Sequence, residues 1–168
     1  MSGVHHSAGR TRPNRIARST PPNAGWPRTR RVYATGNDTL LGDDLYAQQP
    51  FCRQVLLHGF HFLFTCKPAS HAHLTQWVEA LAPGRDLHTL KQRVKSNRWE
   101  HHQYRWANAV PLTDQADALR VNWCELTITE ACGAVRCRHS FITDWRITAE
   151  NVAGLVAAAL HDVASPRR

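Results

Sequence analysis

The stretch TLLGDDLYAQQPFCRQVLLHGFHFLFTC, residues 39–66, decides the fold. It opens with a short apolar run that stops at Asp43 and Asp44, as a buried strand does when it enters a polar loop. Pro50 suits the first turn of a helix, and Gly59 suits the position just beyond its end. The apolar run that follows is typical of a strand buried on both faces. We therefore predict a right-handed βαβ unit, with parallel strands at residues 39–43 and 60–66 joined by a helix at residues 50–58.

Downstream of this unit, a second helix precedes a change of period. Ser70 predicts the N-cap of a helix that ends before Pro83. From Leu87 the apolar period shortens from about 3.6 residues towards 2, which indicates that strands replace helices. We predict two hairpins here, after which Thr148 caps a final helix. The predicted fold class is α/β (α+β), with an antiparallel β-rich insertion at residues 87–143.

The second predicted hairpin contains a long β-prone run whose two faces can be assigned. Successive side chains of a strand point to opposite faces of the sheet. We expect Cys124, Leu126 and Ile128 on one face, and Trp123 and Glu125 on the other.

The charge is concentrated at one end of the chain. The 168 residues include 21 Lys and Arg against 13 Asp and Glu, a net charge of +8, and their 42% hydrophobic and 20% charged content is typical of one soluble domain. We divide the chain into a disordered Arg/Pro-rich tail at residues 1–37, a near-neutral domain at residues 38–160 and a short tail at residues 161–168. Seven arginines precede the first acidic residue and are predicted to bind DNA: Arg10, Arg12, Arg15, Arg18, Arg28, Arg30 and Arg31.

Composition excludes several classes of protein. The longest apolar run, interrupted by Gly154, is far shorter than a bilayer span, and the basic N-terminus has no apolar segment after it. We therefore expect neither a membrane partner nor secretion. Five cysteines without a Cys-x-x-Cys pair favour reduced thiols in a cytoplasmic protein. The pattern carries no signal for the oligomeric state.

Asp43 and Asp44 are the first candidates for a functional site. Loops that leave the C-terminal ends of strands in an open parallel sheet are where ligands and ions usually bind. Carboxylate oxygens are ligands that Mg²⁺ and Mn²⁺ prefer, and two such ions can support phosphodiester cleavage. Two aspartates cannot complete that site alone. The pattern also fits an ordinary Asp pair in a solvated turn.

Zinc binding and nucleophilic catalysis receive weaker support. Four zinc ligands at the spacing of a closed site are not found among His71, His73, Cys132, Cys137 and His139. The chain has no G-x-S-x-G elbow, and a cysteine near a histidine does not by itself indicate a catalytic pair.

Cations and aromatic residues alternate in the predicted β region. This mixture occurs on nucleic-acid-binding surfaces and also on ordinary exposed antiparallel sheets, so both interpretations stay open. The arginine-rich tail would contact phosphates without reading sequence. The candidate DNA-binding residues of the β region are Lys91, Arg93, Lys95, Arg98 and Arg105, close in sequence to Trp99 and Trp106.

Four strings occur in the order LLGDDLY (residues 40–46), QPFC (49–52), FTCKPASH (64–71) and NWCELTIT (122–129). Together they resemble bacterial insertion-sequence transposases of the DDE type, over residues 39–156. The resemblance implies a partial ribonuclease-H-like core, DNA as the partner, and catalysis by three acids with two Mg²⁺ or Mn²⁺ ions. Asp43 matches the second acid and would be a metal ligand, with Asp44 as the adjacent alternative.

The chain departs from the family pattern at the two other acids. The first is expected on an upstream strand, where this sequence has the Arg/Pro-rich tail. The third is expected just past Val156 in a segment rich in Trp, Arg and Lys, and Glu150 does not match it. The resemblance therefore implies a transposase fragment, cut at both ends, that is catalytically inactive. The alternative is a small non-enzymatic DNA-binding or interaction module.

Overall fold

A single mixed β-sheet with helices on its two faces organises the chain. The computed structural model describes residues 30–34 and 37–163. Within these residues the fold is α+β, with seven strands and three helices. The sheet order is β1-β2-β3-β7-β6-β5-β4. The elements are β1 (Arg30–Ala34), β2 (Asn37–Gly42), α1 (Gln49–Leu57), β3 (His61–Thr65), α2 (Ala72–Glu79), β4 (His88–Lys95), β5 (Trp99–Pro111), β6 (Arg120–Glu130), β7 (Val135–Thr143) and α3 (Val152–Val163).

The predicted strand–helix–strand unit is confirmed. Strands β2 and β3 pair in parallel, with Gly42 opposite Phe64. Helix α1 connects them, and Pro50 occupies its first turn. Gly59 has a φ of +74° shortly after the helix, a conformation that favours glycine. Asp43 comes directly after β2, so it lies at the C-terminal edge of the parallel pair, as predicted.

The region predicted as a β insertion is antiparallel, as expected. Strands β4 and β5 form the first hairpin, and β6 and β7 form the second. The last of them, β7, pairs with β3, where Ile142 lies opposite Phe64. The four strands therefore continue the sheet of the βαβ unit. Periodicity indicates which face of a strand is buried, but it carries no information about which strand lies beside it.

The sheet separates two hydrophobic cores. Helices α1 and α2 cover the face that carries Trp123, and α3 covers the face that carries Leu126. Cys124 and Ile128 lie on the side of Leu126, as predicted. Glu125 lies on the side of Trp123 and is only 4% exposed. A carboxylate buried this deeply requires a charged or hydrogen-bonding partner.

Two boundaries differ from the prediction. Strand β1 pairs antiparallel with β2, so ordered structure begins inside the segment predicted to be a disordered tail. Val32 and Tyr33 have high β propensity, and β2 would otherwise be an unpaired edge strand. Helix α3 runs to Val163, past the predicted end at residue 160. The rest of the predicted tails, at residues 1–29, 35–36 and 164–168, lies outside the described residues.

Of the two predicted helix caps, the one at Ser70 differs from the structure. Helix α2 begins after His71, which makes no side-chain capping hydrogen bond, so Ser70 lies one residue too early to be the N-cap. The backbone N–H of His71 donates to the carbonyl oxygen of Lys67 at 3.1 Å, and its ring lies beside Asp44. Before α3 the chain turns at Thr148, whose carbonyl oxygen accepts the N–H of Val152 at 3.1 Å.

Candidate functional site

The turn after β2 fixes where the two aspartates leave the sheet. A Cβ atom at Gly42 would lie 2.7 Å from the ring of Tyr46 and 2.9 Å from the ring of Phe64, so glycine is required there. The N–H of Tyr46 donates to the carbonyl oxygen of Asp43 at 3.1 Å and closes the turn. The packing of two aromatic rings on Gly42 therefore holds Asp43 and Asp44 at the edge of the sheet.

Asp43 has a partly exposed carboxylate at this edge. Its Oδ1 accepts the N–H of Leu45 at 3.0 Å, which is the contact of an Asx turn. The hydrogen bond holds the side chain beside the end of β2. The side chain thus lies where residues in open α/β sheets usually meet their ligands.

Asp44 has a different set of contacts. Its side chain is 13% exposed, and Oδ1 accepts the N–H of Lys67 at 2.6 Å. The same oxygen lies 3.3 Å from Nε2 of His71, the residue that precedes α2. Asp44 therefore ties the loop after β2 to the loop after β3. No local sequence pattern indicates this role.

His71 is nearly buried beside the Asp44 carboxylate. Its side chain is 6% exposed, and Nε2 makes no hydrogen bond despite the short approach. Burial lowers the pKa of the His71 imidazole, and the neighbouring Asp44 carboxylate opposes that change without reversing it. The ring is therefore neutral at pH 7, and the contact is not a salt bridge at that pH.

Other acids of the second half have partners of their own. Near the N-terminal end of β3, the Oδ1 of Asp144 accepts the N–H of Phe62 at 2.8 Å. Asp43 follows the C-terminal end of β2, which runs parallel to β3, so the two carboxylates lie at opposite ends of these strands. Glu150 is exposed in the turn before α3, and a hydrogen bond with the Thr148 side chain lowers its pKa. Within the described part of the chain, no three His, Cys, Asp or Glu residues are grouped so that they could hold a metal ion.

An exposed cationic surface lies on the outer strands of the sheet. Lys91, Arg93 and Lys95 alternate along β4, and the register puts them on the same side as Trp99, which is opposite Lys95. Arg138 of β7 belongs to the same side, although the sequence did not single it out. We call this surface the open face; it consists of Lys91, Arg93, Lys95, Trp99, His101, Gln103, Arg105, Thr127 and Arg138.

Arg105 is engaged by a buried carboxylate. Its Nη2 lies 2.9 Å from Oε1 of Glu125, whose side chain is 5% exposed. Nε of Arg138 lies 3.8 Å from the other carboxylate oxygen. The two arginines neutralise Glu125 within the sheet. Arg105, a predicted DNA contact, therefore has a structural role as well.

Arg98 lies in the turn between β4 and β5, apart from the row of cations on β4. It lines a cavity of about 440 Å³ between this turn and the β6–β7 turn. Glu100 and Glu130 line the same cavity, and Arg136 pairs with Glu100. Trp99 lines this cavity too, so two carboxylates and two arginines lie together beside its ring.

The predicted DNA-binding arginines of the tail are divided between two regions. Arg30 and Arg31 belong to β1. Their DNA-binding role stays a prediction. The others lie outside the described residues: Arg10, Arg12, Arg15, Arg18 and Arg28.

The buried thiols are not activated. Cys52, Cys66 and Cys124 are reduced and lie in the core. Burial raises the pKa of the Cys52 and Cys124 thiols to about 12, and it also raises the pKa of Cys66. Because the thiolate is the nucleophilic form of cysteine, these side chains act as packing residues.

Two comparisons with known proteins found no match. No family model matches the chain, and no curated protein matches it significantly.

In the part of the chain that the structure describes, no helix is both long and apolar enough to cross a bilayer.

Proposed function

We propose that the chain belongs to the catalytic domain of a DDE-type transposase of bacterial insertion sequences, with Asp43 in the position of the second acid. The observation that carries the proposal is the place of Asp43, directly after β2 in a parallel β2–β3 pair joined by α1. Catalytic and ligand-binding residues of open α/β sheets occupy this edge. The proposal includes a ribonuclease-H-like origin for the βαβ unit.

The contacts of the two aspartates favour Asp43 over Asp44 for the catalytic position. Asp44 is held by the N–H of Lys67 and lies against the ring of His71. Asp44 therefore already joins the loops after β2 and β3, and its side chain is only 13% exposed. We therefore assign the metal-binding role of the parent family to Asp43 and a structural role to Asp44.

The donor set near Asp43 does not fit a two-metal centre. Such a centre needs several oxygen ligands that hold both ions and balance their charge. The described residues group no third acid, cysteine or histidine with this pair. We therefore assign neither a stably bound Mg²⁺ or Mn²⁺ ion nor a strand-cleavage step to this chain, and we propose that it is inactive on its own.

A nuclease assay tests this proposal. We expect the purified 168-residue chain with Mg²⁺ or Mn²⁺ to leave supercoiled and linear DNA intact, and Asp43→Ala to behave identically. Asp117→Ala is the matched control. The Asp117 side chain is 65% exposed, pairs with Arg53 and lies far from Asp43 in the sequence. Metal-dependent cleavage that is lost in Asp43→Ala and kept in Asp117→Ala would overturn the proposed inactivity.

The family assignment has a separate test in the DNA that flanks the coding sequence. An upstream strand that ends in Asp and a downstream segment rich in Trp, Arg and Lys that contains Glu, in any reading frame, would support a transposase origin. Flanking DNA that encodes neither element would count against it.

A second candidate function is non-enzymatic DNA binding through the arginine-rich segment and the open face. The observation that favours it is charge on one side of the sheet, where Lys91, Arg93 and Lys95 are exposed together. The carboxylate on the same side, Glu125, is buried and already neutralised by Arg105. Phosphates approaching this surface therefore meet cations.

A salt titration of duplex binding tests this second function. We expect the affinity to fall steeply between about 50 and 200 mM salt, because bound cations release condensed counterions from DNA. Replacing all five arginines of residues 1–29 with Gln should reduce the logarithmic slope of this salt dependence by about 0.9 for each phosphate that the variant no longer neutralises. Unchanged binding by that variant at low salt would assign duplex binding to the folded part.

A further inference from the structure

Trp99 of the open face has an environment that the proposed functions do not explain. The residue is 42% exposed at the start of β5. The guanidinium of Arg93 lies 4.2 Å from the centre of its ring, and Nζ of Lys95 lies 5.7 Å from it. A large aromatic ring exposed on the surface beside two cations forgoes hydrophobic burial, and this combination is also found in the platforms on which nucleobases stack.

The cations beside Trp99 form a regular row. Strand β4 pairs with β5 without a bulge from His88 to Lys95. Alternate residues of a strand are about 6.6 to 6.8 Å apart, so Lys91, Arg93 and Lys95 follow one another at this spacing. The row runs along the edge of the sheet, where an extended polymer with a charge on each repeat can lie parallel to the strand.

Of the three carboxylates of β5 and β6, Glu125 lies on this side but is buried and paired with Arg105, and the other two line the cavity beside Trp99. Glu100 alternates with Trp99, and Glu130 lies opposite Glu100, so both belong to the other face. An alternative role for lysines on an edge strand is to prevent that strand from pairing with a strand of another molecule. That role explains the charges of β4 but does not explain an exposed Trp99 packed against Arg93.

The shape of the open face distinguishes between forms of nucleic acid. Sequence-reading proteins insert a helix or a narrow ribbon into the major groove of a duplex. The open face instead presents side chains of adjacent strands on a sheet. Bases of a duplex are stacked on each other and do not expose their planes to Trp99, whereas unpaired bases do.

We propose that the open face binds an unpaired polynucleotide strand, with Trp99 stacked on one base and Lys91, Arg93 and Lys95 on successive phosphates. This inference rests on the second candidate function, DNA binding, and specifies the form of nucleic acid that the sheet takes. It does not depend on the catalytic assignment of Asp43.

The chain offers a matched control for Trp99. Trp77 on α2 is also 42% exposed, and the guanidinium of Arg120 lies 6.0 Å from its ring. It is therefore an equally exposed tryptophan beside a cation. Because both rings are exposed, we expect the alanine variants to keep the wild-type melting temperature.

Fluorescence anisotropy with labelled oligonucleotides of about 12 nucleotides tests the proposal, since such lengths match single-strand platforms. The full chain with its five upstream arginines changed to Gln is titrated with oligo(dT), oligo(U) and a duplex of equal length. Trp99→Ala should weaken single-strand binding roughly 5-fold to 100-fold. Trp99→Phe should keep most of the affinity, and Trp77→Ala should match the parent protein.

The outcomes separate this inference from the proposed DNA binding. Loss of single-strand affinity in Trp99→Ala alone, with duplex affinity unchanged, supports the platform. Equal affinities of Trp99→Ala and Trp77→Ala for oligo(dT) and oligo(U) would overturn the platform and leave duplex binding standing. Absence of binding to any oligonucleotide by the wild-type chain would overturn both.

Discussion

Leu126→Asp is expected to remove most or all of the folding stability of the protein. Leu126 is 2% exposed on β6, in the core between the sheet and α3. Losing the packing of a buried leucine costs about 2 to 5 kcal/mol. The new carboxylate has no partner in that core, which adds a further penalty. The sum is comparable with the total free energy of unfolding of a small domain, about 5 to 15 kcal/mol.

Thermal and urea unfolding measure this effect. Val135→Asp is the matched control, because Val135 is 59% exposed on β7 and the same change there should alter the free energy of unfolding by less than about 0.5 kcal/mol. A Leu126→Asp protein that melts within about 3 °C of the wild type would contradict the burial of this residue beneath α3.

The sequence predicted the elements better than it predicted their neighbours. Apolar runs bounded by Asp43, Pro50 and Gly59 were sufficient for the β2–α1–β3 unit, because each boundary has a local physical cause. The pairing of β7 with β3 was not predictable, because Phe64 and Ile142 meet across a long stretch of intervening sequence. Strand β1 was missed for a different reason: it pairs with the next strand, with Ala34 opposite Asn37, but its arginines placed it in the segment predicted to be a disordered tail.

The candidate site shows the same difference between features with a local cause and contacts between distant residues. The place of Asp43 at the sheet edge came from a strand that stops at a polar loop. The contact of Asp44 with the N–H of Lys67 depends on the meeting of two loops, which no local pattern records. Glu125 occupies an alternating polar position of β6, and only the register of β5 shows that Arg105 is its partner.

Arg105→Ala is expected to lower the free energy of unfolding by about 2 to 4 kcal/mol. Removing one member of a buried ion pair leaves an uncompensated charge, which commonly costs about 3 to 5 kcal/mol. The smaller value is expected because the Arg105 side chain is 29% exposed and Arg138 remains 3.8 Å from Glu125. Urea unfolding of the variant and the wild type measures the difference.

Two further variants separate the buried charge from the loss of side-chain packing. Glu125→Gln in the Arg105→Ala background removes the uncompensated charge, so it should recover part of the lost stability. Lys91→Ala removes an exposed cation of the open face and should change stability by less than about 0.5 kcal/mol. If Arg105→Ala were as stable as Lys91→Ala, Glu125 would not need Arg105, which would then be available to phosphates. Recovery by Glu125→Gln would instead assign Arg105 chiefly to the fold and leave phosphate binding on the open face to its exposed cations.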